Sequence, residues 1–166
     1  NVLTQLERLL EEHHTTHHRV IIVTESIFSM DGHQADLQKL TELKRKYDNV
    51  LLYVDEAHAF GVRGRQGLGC AEEFHCIHDI DFLVGTFGKA AASVGAYIVC
   101  KKVIREYLVN RMRTLIFTTG LPPVNIAWTL FIVRRLADMQ ERRKHLAHIS
   151  RTLREALQVR GYTCPS

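Results

Sequence analysis

The sequence predicts an α/β fold, a mostly parallel sheet flanked by helices. Three observations carry this. Apolar, β-branched runs without polar alternation recur along the chain, the pattern of strands in a parallel sheet. Amphipathic stretches at helical spacing lie before and between them. Three of the runs end in clusters of polar residues, and in an open α/β sheet that edge is where ligands bind. A length of 166 residues suits one domain.

The elements follow in order. LTQLERLLEE (3–12) spaces its leucines as an amphipathic helix does. His13, His14, His17 and His18 come next, as two i,i+4 pairs. That spacing suits a metal, but no third ligand accompanies it, and the run reads as a polar connector. VIIVT (20–24) is a strand expected to be buried on both faces. ADLQKLTELKRKY (35–47) carries Leu37, Leu40 and Leu43 and reads as a helix. VLLYVD (50–55), IDFLVGT (80–86) and GAYIVC (95–100) are the second, third and fourth strands. Helices are expected over 101–113 and 123–139, with a charged one through 160. Pro122 and Pro123 punctuate before the second of these, and Gly161 ends the last.

Bulk properties narrow the function. The net charge is +4, and a pI near 9.0 suits a solvated surface or affinity for anions such as phosphates. A nucleic-acid partner is not expected, because the basic residues are interspersed with acids along helices rather than gathered with aromatics. No apolar run is long enough to span a membrane, and no signal-peptide pattern opens the chain. Cys70, Cys76, Cys100 and Cys164 sit at no metal-ligand spacing, and this usage points to the cytoplasm. Cys100 reads as a small core residue. The chain opens on Asn1, almost directly into helix, and reads as a piece of a longer protein.

The polar clusters hold the candidate chemistry. The first strand leads into TESIFSMDG, the second into DEAHAFG, the third into GTFGKA. Lys89 follows Gly88, whose backbone permits a tight, close-approach turn. Beside Phe87 and the alanines 90–92 its amine is expected to be partly desolvated, which favours the neutral, nucleophilic form. Asp55 suits a protonated ring nitrogen, with capping of a short turn as the alternative. His58 suits contact with a flat ligand, or a structural role. Ser29, Thr86, Thr118 and Thr119 are hydroxyls of the kind that accompany backbone N–H groups around phosphate. GVRGRQGLG (61–69) matches neither a P-loop nor a dinucleotide fingerprint and reads as an ordered loop near the site.

Together VTESIFSMDG, VDEAHAFGVRGRQGLG, GTFGKA and LIFTTGLPP, in this order and spacing, resemble the α-oxoamine synthases. These are fold-type I enzymes dependent on pyridoxal 5'-phosphate. The resemblance runs from about residue 20 to 160. It implies that residues 1–160 are the central part of the large, cofactor-binding domain and that 161–166 begin the small domain. The family's N-terminal glycine-rich segment and its remaining small domain would lie outside this chain, which alone would be inactive. The resemblance assigns Lys89 to covalent attachment of the cofactor and to acid–base work. Asp55 would pair with the pyridine nitrogen, His58 with the ring's phenolic oxygen, and Ser29 would lie near the same edge. Thr86 would bind the phosphate. Thr118 and Thr119 would reach the phosphate in the neighbouring subunit of a homodimer with shared sites. Glu25 matches a family acid near the site. GKAAASVGAY departs from the family's more glycine-rich continuation after the lysine.

The implied reaction is the decarboxylative condensation of a small amino acid with an acyl-CoA. The overall resemblance favours alanine and pimeloyl-CoA, a step of biotin synthesis. A glycine- or serine-using member of the family is the alternative. A non-catalytic homologue would be expected to lack Lys89 or Asp55, and both are present.

Overall fold

The computed structural model describes residues 2–164. Helix α1 (Val2–His13) is followed by strand β1 (Val20–Glu25), helix α2 (Leu37–Arg45) and strand β2 (Val50–Asp55). The short helix α3 (Cys70–Glu73) and a 3₁₀ turn (Ile77–Asp79) lead to β3 (Phe82–Thr86) and β4 (Ala96–Cys100). Four α-helices follow among the described residues: α4 (Lys102–Arg111), α5 (Arg113–Ile116), α6 (Pro123–Arg135) and α7 (Gln140–Val159), and the expected helix over 123–139 stops at Arg135, with a 3₁₀ turn (Ala137–Met139) before α7. The expected helix over 101–113 breaks at Met112, whose ψ of 101° is extended and starts a new turn. The 70–79 segment carries too little periodicity to announce its two short turns.

The sheet order is β1-β2-β3-β4. The first three strands are parallel and in register, with Glu25 beside Asp55 and Asp55 beside Val84. β4 runs antiparallel to β3, pairing Thr86 with Ala96. Parallel neighbours place the ends of β1, β2 and β3 on one edge of the sheet.

One face of the sheet carries the main core. Ile22, Val50, Leu52, Val54 and Leu83 pack there with Leu10 of α1, Leu37, Leu40 and Leu43 of α2, and Cys70 and Ala71 of α3. Asp36 starts α2 by accepting the Lys39 N–H at 3.1 Å, which satisfies one of the helix's unpaired donors. Truncating Leu52, which is fully buried, to alanine would cost about 2–5 kcal/mol.

The opposite face departs from expectation. β1 was expected to be buried on both sides, yet Ile21 is 52% and Val23 68% exposed. The helices packed on β1 lie on the Ile22 side, so alternate residues of the strand face outward. Cys100 is likewise half-exposed rather than in the core, because β4 is an edge strand.

A second, smaller cluster fixes the turn after β3. Phe60, Ala91 and Leu136 are buried together, with Phe87, Tyr97 and Ile132 against them. The Phe60 and Phe87 rings lie 5.2 and 5.3 Å from Tyr97, a separation at which aromatic edges and faces attract.

Candidate active site

The site is built from the ends of the parallel strands. In a strand, successive side chains point to opposite faces, so the adjacent acids Asp55 and Glu56 separate. Asp55 is half-exposed on the face that also carries Glu25 and Thr86, while Glu56 is fully buried. Ser26 N donates to Asp55 O at 2.9 Å and Glu56 N to Val84 O at 2.7 Å, so β1, β2 and β3 remain tied together at this edge.

Asp55 Oδ1 accepts the Ala57 N–H at 2.7 Å, so Asp55 does cap the turn that follows it. Among the described residues its Oδ2 has no hydrogen-bond partner. His58 follows on the same turn, half-buried. The negative charges of this edge are felt nearby. Burial first, then the charge of Asp55, pushes the Tyr53 phenol up. Burial first, then the charges of Glu56 and Asp55, pushes the Tyr97 phenol well above the usual tyrosine range.

Lys89 sits in a turn closed at both ends. Phe87 N donates to Gly95 O at 2.9 Å, Ser93 N to Phe87 O at 2.8 Å, and Ala92 N to Lys89 O at 3.0 Å. Helix α6 holds the turn from outside: Trp128 Nε1 donates to Ala91 O at 3.0 Å and Thr129 Oγ1 to Ser93 Oγ at 2.9 Å. Two expectations change here. The Lys89 side chain is exposed: Phe87 and Ala91 of its turn pack inward, while Ala90 and Ala92 lie exposed beside it. Its amine has no partner among the described residues. Nor does Gly88 enforce a close approach, since an added Cβ would meet only Ser93 O at 3.8 Å. The left-handed position falls instead on Ala92, with φ 47°.

The Asp55 and Lys89 turns converge. Gly61, with φ 79°, lies so near Ala90 that a Cβ on it would stand 2.7 Å from Ala90 Cβ. Ser29 lies on an exposed turn after β1, closed by Phe28 N to His33 O at 2.9 Å, at the same sheet edge. Thr118 and Thr119 lie on the exposed connection between α5 and α6, with no described contact to Asp55 or Lys89. The His13–His18 run forms no metal-binding group among the described residues.

Several residues that shape the site give weak signals in the sequence. Glu56 accepts from Ser26 Oγ at 2.6 Å, Cys70 N at 3.0 Å and Ala71 N at 2.6 Å. Its place in the buried phase of β2, after Val50, Leu52 and Val54, is the one signal that marks it. Arg143 reaches back from α7 to Leu136 O at 2.6 Å and to Arg65 O, binding the 61–69 loop. Nothing in the linear order connects those positions.

This chain belongs to the aminotransferase class I and II family, whose model matches residues 1–166. Its resemblance to the α-oxoamine synthases within fold-type I is borne out by named relatives. It is 60% identical over 161 residues to a putative 8-amino-7-oxononanoate synthase of Glaesserella parasuis, covering 97% of this chain and 42% of that one. An 8-amino-7-oxononanoate synthase structure from Francisella tularensis matches at a TM-score of 0.84 and 29% identity, over 99% of this chain and 46% of that one. A serine palmitoyltransferase from S. paucimobilis, with a bound PLP–myriocin aldimine, matches at 0.89 and 29%, over 99% and 42%. The chain spans about two fifths of the length of the curated relatives it matches. No helix among the described residues is long and apolar enough to cross a membrane.

Proposed function

We propose that the protein containing this chain is a pyridoxal-phosphate-dependent C-acyltransferase. It condenses a small amino acid with an acyl-CoA and releases carbon dioxide. The observation that carries this reading is an Asp55 carboxylate oxygen and a Lys89 amine, both without a partner among the described residues, on converging turns at the carboxyl edge of a parallel sheet. That donor set fits the cofactor. An acceptor is present for a protonated ring nitrogen, an amine for its aldehyde carbon, and the Thr86 hydroxyl, on the same face as Asp55, for its phosphate.

Bound there, pyridoxal phosphate supplies an electron sink for charge developing on the amino acid's α-carbon. The chain's own residues do the rest. Asp55 keeps the ring nitrogen protonated by accepting its hydrogen bond. Lys89 holds the cofactor and carries a proton to and from the α-carbon. His58 would meet the phenolic oxygen, with Ser29 near the same edge and Glu25 beside Asp55.

Within the family we favour alanine and pimeloyl-CoA as substrates, giving 8-amino-7-oxononanoate for biotin synthesis. Curated relatives from 52% to 60% identical carry that enzyme's name. A serine-using activity is the second reading, supported by the serine palmitoyltransferase structure at 29% identity. We further propose a homodimer in which Thr118 and Thr119 complete the partner's phosphate site. Phe117, 75% exposed, and Val124, 72% exposed, flank them as apolar surface suited to an interface. The free cysteines among the described residues suit a reducing cytoplasm.

Borohydride reduction in the presence of pyridoxal phosphate, followed by peptide mapping, tests the reading. Label on Lys89 is expected in the protein as its gene encodes it. A folded protein with no label there would overturn the assignment. Turnover of alanine with pimeloyl-CoA, against serine with palmitoyl-CoA, then separates the two substrate readings.

A further inference from the structure

We infer that Glu56 is a positioning residue for Asp55, a role that rests on the proposed cofactor site. Glu56 is fully buried. Its carboxylate gathers three donors from two separate parts of the chain. Ser26 Oγ, at the end of β1, donates to Oε2 at 2.6 Å. Cys70 N donates to Oε2 at 3.0 Å and Ala71 N to Oε1 at 2.6 Å, both from the first turn of α3. A carboxylate taken out of water needs such donors, and three of them fix its orientation.

The surrounding chain is shaped around this group. Gly69 has φ 111°, and a Cβ on it would stand 2.5 Å from Glu56 Oε2. A side chain at 69 would therefore displace the carboxylate. Gly69 N also donates to Arg63 O at 3.1 Å, so the anchor reaches the loop that follows His58.

Asp55 benefits through the backbone. Residues 55 and 56 share a peptide unit, and opposite faces of the strand receive their side chains. Pinning one inward fixes the direction of the other. Glu56 N to Val84 O at 2.7 Å and Ser26 N to Asp55 O at 2.9 Å hold that peptide from both neighbouring strands. Glu56 O then accepts from Ala59 N at 2.9 Å and Phe60 N at 2.8 Å, which shapes the turn carrying His58. Asp55 thus meets its ligand as a preorganised acceptor, without spending binding energy on orientation.

The test compares Glu56→Gln and Ser26→Ala with the parent protein as its gene encodes it. Glu56→Gln keeps the shape but places an amide donor against donors. Ser26→Ala removes a single hydrogen bond and leaves the α3 amides engaged. The first readout needs no cofactor: hydrogen exchange at the Ala57 amide, which Asp55 Oδ1 holds at 2.7 Å. Exchange there is expected to rise about tenfold or more in Glu56→Gln, the scale of one lost charge-assisted hydrogen bond, and less in Ser26→Ala. The second readout is the pyridoxal phosphate dissociation constant, expected to weaken about tenfold in Glu56→Gln. Faster exchange confined to Cys70 and Ala71, with Ala57 unchanged, would overturn the inference and leave Glu56 as a local anchor of α3. If Glu56→Gln does not fold, Ser26→Ala decides by the same two readouts. A parent that binds no pyridoxal phosphate overturns the proposed function, while the exchange comparison still decides the coupling of Glu56 to Asp55.

Discussion

Gly61 and Ala90 meet so closely that a Cβ on Gly61 would stand 2.7 Å from Ala90 Cβ. Gly61 ends the turn begun at Asp55, and Ala90 follows Lys89. The contact is where the two halves of the candidate site touch. Gly61→Ala is expected to cost about 1–3 kcal/mol, from overpacking and from a left-handed backbone at φ 79°. Gly161→Ala is the control, with φ 83° and nothing within 4 Å of the added carbon. Urea midpoints should place Gly61→Ala below Gly161→Ala. Equal midpoints would mean that the approach to Ala90 contributes nothing.

Lys44, half-buried, pairs with the buried Asp81 at 2.7 Å, with side chains 18% and 5% exposed. Asp81 Oδ2 also accepts the Leu52 N–H at 2.9 Å, and Lys44 Nζ donates to Asp79 O at 2.6 Å. Asp81→Ala therefore leaves the Leu52 amide without its acceptor and the Lys44 ammonium with Asp79 O alone, at an expected cost of about 1–3 kcal/mol. A double-mutant cycle with Lys44→Met should recover part of that loss. Strict additivity would show that the two groups do not interact.

Arg143 is 8% exposed and holds two carbonyls, Leu136 O and Arg65 O. Its Nε has no partner among the described residues. A lysine keeps the charge but not the planar fork, so Arg143→Lys is expected to lose one carbonyl and about 1–3 kcal/mol. Amide exchange should quicken at Gly61, whose N–H donates to Gly67 O at 2.7 Å. An unchanged 61–69 loop would show that Arg143 does not hold it.

Burial pushes the Cys70 thiol up to about 12 and the Cys76 thiol up to about 11, with nearby acids adding to the effect. The folded state therefore keeps protons that the unfolded chain gives up above about pH 9. Stability on this account is fully present below that pH and falls as pH rises toward about 12. Melting temperatures across this window should drop less in a Cys70→Ala, Cys76→Ala variant than in the parent. An identical alkaline slope would assign the loss to other groups. At pH below the window, a thiol reagent should modify the half-exposed Cys100 and Cys164 before the buried pair.

Much of the fold was legible because its signals are local. VLLYVD is apolar throughout and became β2 over Val50–Asp55. Leucines at 37, 40 and 43 placed α2, and all three are buried. The polar ends of three such strands placed the candidate site on one edge, and the parallel register at Glu25, Asp55 and Val84 brings them there. α3 escaped notice because four residues are one turn, too short for a period to show. The double burial expected of VIIVT failed because an apolar run does not say which layer covers it.

Residue order was enough to set the strands, the main helices and the edge where Asp55, Thr86 and Lys89 fall. Periodicity and strand direction are properties of consecutive residues, so they can be read in a line. What holds Glu56 in the interior was settled only in three dimensions. Asp55 and Glu56 are neighbours of the same charge type, and their fates differ because Ser26, Cys70 and Ala71 arrive from elsewhere to hold one of them. The same holds for Gly61 against Ala90 and for Arg143 against the 61–69 loop. Such contacts depend on chain separations that only packing closes, and a hydrogen bond or a close approach exists only once both partners are in place.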